Sequence, residues 1–253
     1  MAALIRRARD PGISNIIIKS LVQKLFIFEL NFLYINIADT IRNISVLTEI
    51  LPVTFYLFFK KRIFIKSSGT IILLSTLYFI NDVYALYLLY YRHRSNFLFY
   101  NIVLLIETIC LYYFFYLIIK DHFFKKILFF LSIIFTVFWV FSFFKFGNKS
   151  YYWSCINFEN ISVLAIAIFY YYEQIIIINS AFIYAESVFW VVTAYLIYIA
   201  GTFFLYLYIP SFNSEEQKNY YDILNSIFTI IRTVLISVAI FIKPGFSKIE
   251  RIN

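Results

Sequence analysis

Residues 97–119 read FLFYNIVLLIETICLYYFFYLII, and Glu107 is the one charged side chain among them. A bilayer's hydrocarbon core needs roughly 20 apolar residues in a helix to cross it. This stretch is long enough. It does not alternate apolar with polar as a barrel strand would, and a helix satisfies its own backbone hydrogen bonds in lipid. It therefore predicts a transmembrane helix. Six further runs share its character, at 41–59, 69–91, 127–146, 157–178, 184–208 and 220–242. Basic or turn-forming stretches separate the runs: Lys60-Lys61-Arg62, Arg92-His93-Arg94, Lys120-Asp121-His122, Gly147-Asn148-Lys149, Asn179-Ser180 and Pro210-Ser211. The fold class expected is an all-α membrane protein, a seven-transmembrane helical bundle.

Composition supports the same reading. Of 253 residues, 62% are hydrophobic and 14% charged, with mean hydropathy +0.81. Soluble domains carry about 25% charged residues, so this chain lacks the polar surface that water demands. Disorder, nucleic-acid binding and a large soluble catalytic head are excluded. The net charge of +8 comes from Lys and Arg in short loops beside apolar runs, as the positive-inside bias requires. Phe (32) and Tyr (23) accompany much Ile, Asn and Lys, and these AT-rich codons make genome bias the plain reason for the aromatic content. Cys110 sits inside an apolar run and Cys155 is read in a loop, so no disulfide between them is expected and no oxidising compartment follows.

Basic residues set the expected orientation. Loops after the first, third and fifth spans, with the tail, hold Lys60, Lys61, Arg62, Lys66, Lys120, Lys125, Lys126, Lys243, Lys248 and Arg251. The other side holds Arg92, Arg94, Lys145, Lys149 and Lys218. Ten against five places the C-terminus in the cytoplasm. The expected division is a leader at 1–36, a seven-helix transmembrane domain at 37–243 and a short cytoplasmic tail at 244–253. Arg6, Arg7 and Arg9 precede no compact apolar core with a small-residue cleavage site, so no cleavable signal peptide is read. Segment 15–36 is apolar but carries Lys19, Lys24 and Glu29 around its circumference. It reads as an eighth span, a surface helix or an extension from an upstream start codon; seven core spans with a loosely attached leader is the favoured arrangement.

An internal echo adds a possible architecture. Asn43-Ile44-Ser45-Val46-Leu47 recurs as Asn160-Ile161-Ser162-Val163-Leu164, an offset of 160 − 43 = 117 residues. Chance in an Ile/Leu-rich chain explains it equally well. If real, it relates spans 1–3 to spans 5–7 as 3+1+3 parallel repeats with span 4 as linker. Small sugar transporters are built so, with the site between the halves.

Charges at bilayer depth cost at least about 2.5–3.5 kcal/mol even on the lenient insertion scale, so they are the informative residues. Glu49, Asp82, Glu107 and Arg232 each lie roughly half-way along a run, which predicts that they meet near the midplane. Ser75, Tyr78 and Asp82 share a helical face, with Asn81 beside them. Tyr100, Glu107 and Cys110 share another. In span 7 Asp222, Asn225, Ser226, Thr229, Arg232, Thr233 and Ser237 follow helical spacing. Pro52 frees the carbonyl of Thr48, one residue before Glu49. Three acids face one Arg, so two carboxylates must be protonated, hydrated or paired with a cation. The candidate ligand-, ion- or proton-binding residues are Glu49, Asp82, Glu107, Arg232, Asn81, Asn225 and Tyr78. The bland alternative is a buried ion-pair network that only fixes helix register. Glu173 and Glu186 read as snorkelling to the interface; Glu159 is left open.

Several chemistries are disfavoured. His93 and His122 are read in loops, so no span supplies His for haem or zinc. There is no GxSxG and no P-loop. Arg232 stands where a retinal pigment would need lysine. No cofactor and no metal site is expected, and enzyme activity is not favoured; a lipid-modifying enzyme lacks its usual His. Trp153, Tyr151 and Tyr152 read as an interfacial belt. Trp190 and Tyr195, Tyr198, Gly201 and Thr202 read as helix packing, Gly201 permitting close approach.

Glu49-Ile50-Leu51-Pro52 before Lys60-Lys61-Arg62, Ile106-Glu107, Phe189-Trp190-Val191-Val192-Thr193 through Gly201-Thr202-Phe203-Phe204, and Leu224-Asn225-Ser226-Ile227 carry a resemblance. Over roughly 38–242 the chain resembles a family of small seven-span membrane proteins common in Bacteroidetes, a group with no activity to carry over. The resemblance implies the topology and placement in a bacterial inner membrane. The expected partners are the bilayer, a small polar ligand or cation, and either a second copy or a signalling protein, but no nucleic acid. The expected function is binding of a small polar solute, proton or cation at the midplane, for transport, with a receptor-like sensor as the alternative.

Overall fold

The computed structural model describes residues 37–59, 68–88, 91, 97–146, 150–177, 183–209 and 214–242. The leader, the proposed eighth span, the tail and most of the basic inter-span stretches lie outside them. Among the described residues seven helices are long and apolar enough to cross a membrane. They are α1 (Ile37–Phe59), α2 (Ser68–Tyr87), α3 (Phe97–Ile118), α4 (His122–Phe146), α5 (Ser150–Tyr172), α6 (Ser187–Tyr208) and α7 (Glu215–Phe241). No strand occurs among the described residues. The chain is a multi-pass membrane protein with a seven-helix bundle, as its apolar runs predict.

Polarity is turned inside out relative to a soluble bundle. The side of α4 facing away from the bundle exposes Phe129, Phe130, Ile133, Ile134, Val137, Phe141 and Phe144. In water such a patch would drive aggregation; in hydrocarbon it costs nothing. Buried positions include Glu49, Ser75, Asn101, Thr108, Glu159, Asn160, Ser226 and Arg232. Between polar interior and lipid-facing shell lies an aromatic and aliphatic core with Leu74, Phe114, Phe115, Phe135, Val163, Tyr170 and Val192 at its centre.

Each helix packs against its chain neighbours, α1 closes the ring on α7, and α3 also touches α5. Exchanging α1–α3 with α5–α7 leaves the contacts among those six helices unchanged, but it does not preserve those of α4, which packs on α3 and α5. The echoed Ser45 and Ser162 are both buried and each donates to the carbonyl three residues back, of Arg42 and Glu159 respectively, at 2.8 Å. The acids do not recur: 117 residues after Glu49, Asp82 and Glu107 stand Ile166, Ile199 and Leu224.

Helix ends differ from the sequence expectation where polar caps act. The structure starts α4 at His122 rather than 127, because Asp121 Oδ1 accepts the Phe124 amide at 2.7 Å. His122 is thus the first helical residue rather than a loop residue. Glu173 is fully buried, and its Oε1 accepts the amides of Lys120 (2.8 Å) and Asp121 (2.7 Å). The snorkelling expectation for Glu173 is therefore corrected: amides beside a helix start need an acceptor, and the π-helical turn Glu173–Ile177 holds the carboxylate there. Ser214 and Gln217 form a reciprocal capping box at the start of α7. α5 begins at Ser150, which moves Cys155 from the expected loop into a buried helical position; both Cys155 and Cys110 are free thiols.

Candidate functional site

α1 is broken where its one proline predicts. Pro52 has no N–H to give to the Thr48 carbonyl, and the backbone departs from α-helix at Glu49. The Glu49 amide lies 3.2 Å from both the Ser45 and the Val46 carbonyl oxygens. The Glu49 side chain at this turn is 3% exposed, and its Oε1 accepts from Arg232 Nη2 at 2.8 Å. The guanidinium lies over two aromatic rings. Its carbon lies 4.0 Å from the Tyr78 ring centre and 4.4 Å from that of Tyr198. Cation–π contact of this kind strengthens when water is excluded.

Tyr78 extends the network. Its hydroxyl donates to Glu107 Oε1 at 2.5 Å, linking α2 to α3. On the next turn Asn81 Nδ2 donates to Asp82 Oδ1 at 3.0 Å. On α6, Tyr198 and Tyr206 share a hydroxyl contact of 3.0 Å, and both reach Asn225 Oδ1 on α7, at 3.4 and 3.2 Å.

These groups surround one cavity of about 350 Å³. All seven residues singled out from the sequence line it: Glu49, Tyr78, Asn81, Asp82, Glu107, Asn225 and Arg232. Its volume is at the lower end of small-molecule sites, about 300–1,000 Å³. Four acids share its wall, because Glu159 on α5 joins the three expected. Among the described residues only Glu49 of these four forms an ion pair; of the other two, Arg42–Asp39 lies within α1 and Arg42–Asp222 (3.5 Å) ties α1 to α7 elsewhere.

The acids do not form one flat layer. Asp82 lies nearer the end of α2 at Tyr87 than its start at Ser68, whereas Glu107 is central in α3. Since α2 and α3 run in opposite directions, Asp82 stands above Glu107 toward one membrane face. The other lining residues follow. Tyr100, Trp153 and Tyr221 come from the N-terminal parts of α3, α5 and α7, and Tyr206 from the C-terminal part of α6. The cavity therefore runs from the mid-bundle Glu49–Arg232 pair toward the face where odd-numbered helices begin.

The opposite half is packed. Phe55 and Phe59 meet Phe241 edge-on, Phe124 stacks on Phe169, and Ser187 Oγ donates to the Ile242 carbonyl at 2.7 Å. A void of about 10 Å³ adjoins the Glu49–Arg232 pair on this side, lined also by Pro52, Ser75 and Thr233.

Several buried polar atoms of the lining residues have no hydrogen-bond partner among the described residues: Glu49 Oε2, Asn81 Oδ1, Glu159 Oε1 and Asn160 Nδ2. Buried polar atoms are normally paired, so each of these is an unmet hydrogen-bonding demand.

Aromatic roles need correcting too. Trp153 lines the cavity from inside α5 instead of forming only a belt, and Tyr198 is a wall and a cover for Arg232 as well as a packing residue. The Gly201 expectation stands: an added Cβ would lie 2.2 Å from Phe228 Cε1, so α6 and α7 approach this closely only over glycine. No protein-family model, curated protein or solved structure matches the chain.

Proposed function

We propose that this membrane protein binds a small polar solute, cation or proton in the cavity between its helices and moves it across the membrane. One observation carries the reading: residues with unpartnered buried polar atoms, and three carboxylates without an ion-pair partner among the described residues, line a single cavity of about 350 Å³. Glu107, Asp82 and Glu159 engage the solute, while Arg232 and Glu49 close the floor. A network that served only to fix helix register would leave no such space, because interiors pack densely.

We place the protein in a bacterial inner membrane with its C-terminus in the cytoplasm. The count of ten Lys and Arg against five supports this, and the cavity mouth then faces away from the cytoplasm. Proteoliposomes containing the purified chain test transport. Solute or proton flux that disappears in Glu107→Gln is the expected result; equal flux in empty liposomes or in the variant contradicts it.

A receptor-like sensor is the second reading, and the packed half of the bundle favours it. A ligand held above the Glu49–Arg232 floor would shift α1 against α7 without crossing. Ligand-dependent thermal stabilisation without flux is its signature.

A further inference from the structure

We infer that the ligand of this cavity is an organic cation, an ammonium group attached to an apolar or aromatic body. The inference rests on the cavity being a binding site and names what it takes.

Charge comes first. The positive charge of Arg232 is already committed, paired with Glu49 at 2.8 Å and lying over the rings of Tyr78 and Tyr198. An anion entering the cavity would find no free cation among the lining residues and would meet Asp82, Glu107 and Glu159. Glu159 lines the cavity, is 96% buried by its 4% exposure, and its Oε1 has no hydrogen-bond partner among the described residues. A positive ligand supplies what that oxygen lacks; a neutral sugar would leave the excess of carboxylates uncompensated.

Shape comes second. Among the described residues no three acidic, His or Cys side chains stand close enough to hold one metal ion. The carboxylates are spread along the wall on α2, α3 and α5. A bare ion finds no cage of three such side chains there, whereas an extended molecule reaches from an acid to the mouth. The mouth is aromatic. Tyr206 lies 6.3 Å from Trp153 and 6.0 Å from Tyr221, ring centre to ring centre, so α5, α6 and α7 each contribute a ring. Carboxylates below and aromatic faces above complement a cationic head and its apolar body.

The test uses the full chain in detergent micelles and follows its melting temperature. Phenethylammonium, phenylpropionate, phenethyl alcohol and glucose are the probes, at equal ionic strength. The expected result is a concentration-dependent rise with phenethylammonium alone, with apparent affinity at least tenfold weaker in Glu159→Gln. Asp82→Asn, on the same wall, is expected to weaken it likewise and serves if the Glu159 variant fails to fold. A rise with phenylpropionate, the alcohol or glucose, and none with phenethylammonium, overturns the cationic class while leaving the cavity as a binding site. No rise with any probe overturns both. An undiminished rise in both variants also overturns the assignment, because the acids would then not be the recognising groups.

Discussion

Arg232 of α7 reaches Glu49 of α1 across 2.8 Å in an environment where the two side chains are 4% and 3% exposed. The proline three residues on breaks α1 at that carboxylate. A backbone discontinuity and a buried ion pair therefore coincide at the floor of the cavity, and the first prediction concerns that pair.

Removing one partner of a buried pair leaves the other charge uncompensated, at a cost of about 3–5 kcal/mol. Arg232→Gln should lower the melting temperature strongly. Combining it with Glu49→Gln should recover much of the loss, since no lone charge remains. A double-mutant cycle by thermal unfolding in detergent reads the coupling; additive losses would show that the contact carries no energy.

Pro52→Ala restores an amide able to reach the Thr48 carbonyl. The turn at Glu49 should become regular helix, with slower amide exchange across residues 49–53. Straightening α1 rotates Glu49 away from Arg232, so ligand affinity should fall although the helix itself gains a bond. Unchanged exchange would show that proline is not what breaks the helix.

Gly201→Ala places a Cβ 2.2 Å from the Phe228 ring. Overpacking of this sort costs about 1–3 kcal/mol. Gly201→Ala combined with Phe228→Ala should relieve the clash and restore part of the melting temperature; failure of that rescue would place the strain elsewhere.

Glu173→Ala withdraws the acceptor of the Lys120 and Asp121 amides and should cost about 2 kcal/mol. Glu173→Gln keeps a neutral acceptor and should cost less. Equal losses in both variants would mean that the negative charge matters and the acceptor geometry does not.

The direction of the cavity is open to a labelling test. In a chain with Cys110→Ser and Cys155→Ala, Tyr221→Cys at the mouth should react with a membrane-impermeant maleimide from the side opposite the C-terminal tail. Ser237→Cys, in the packed half, should react from neither side. Reaction of Tyr221→Cys from the tail side would reverse the vestibule.

The spans were legible because 20-odd apolar residues have few other uses in a chain so poor in charge. The seven candidate residues were legible for a related reason: a polar group at bilayer depth is costly enough that it must turn inward. Glu159 escaped because α5 starts at Ser150, ahead of the strongly apolar run at 157–178, among Tyr and Trp residues that hydropathy scores poorly. What looked like a position near the span's end is well inside it. Glu173 escaped because its amide partners are 53 and 52 residues away in sequence. Tyr198 carried no distinguishing signal, since a tyrosine at helical spacing reads the same whether it packs or covers a guanidinium. Only the tertiary approach of α6 to α7 over Gly201 separates the two.

A high-resolution structure of the protein in lipid nanodiscs, determined with and without phenethylammonium, addresses the cavity most directly. Added density between Glu159 and the Trp153–Tyr206–Tyr221 rings, with water beside Asp82 and Glu107 in the ligand-free form, is the predicted result. A collapsed interior with Asp82, Glu107 and Glu159 directed at lipid, and no density in either state, would contradict it.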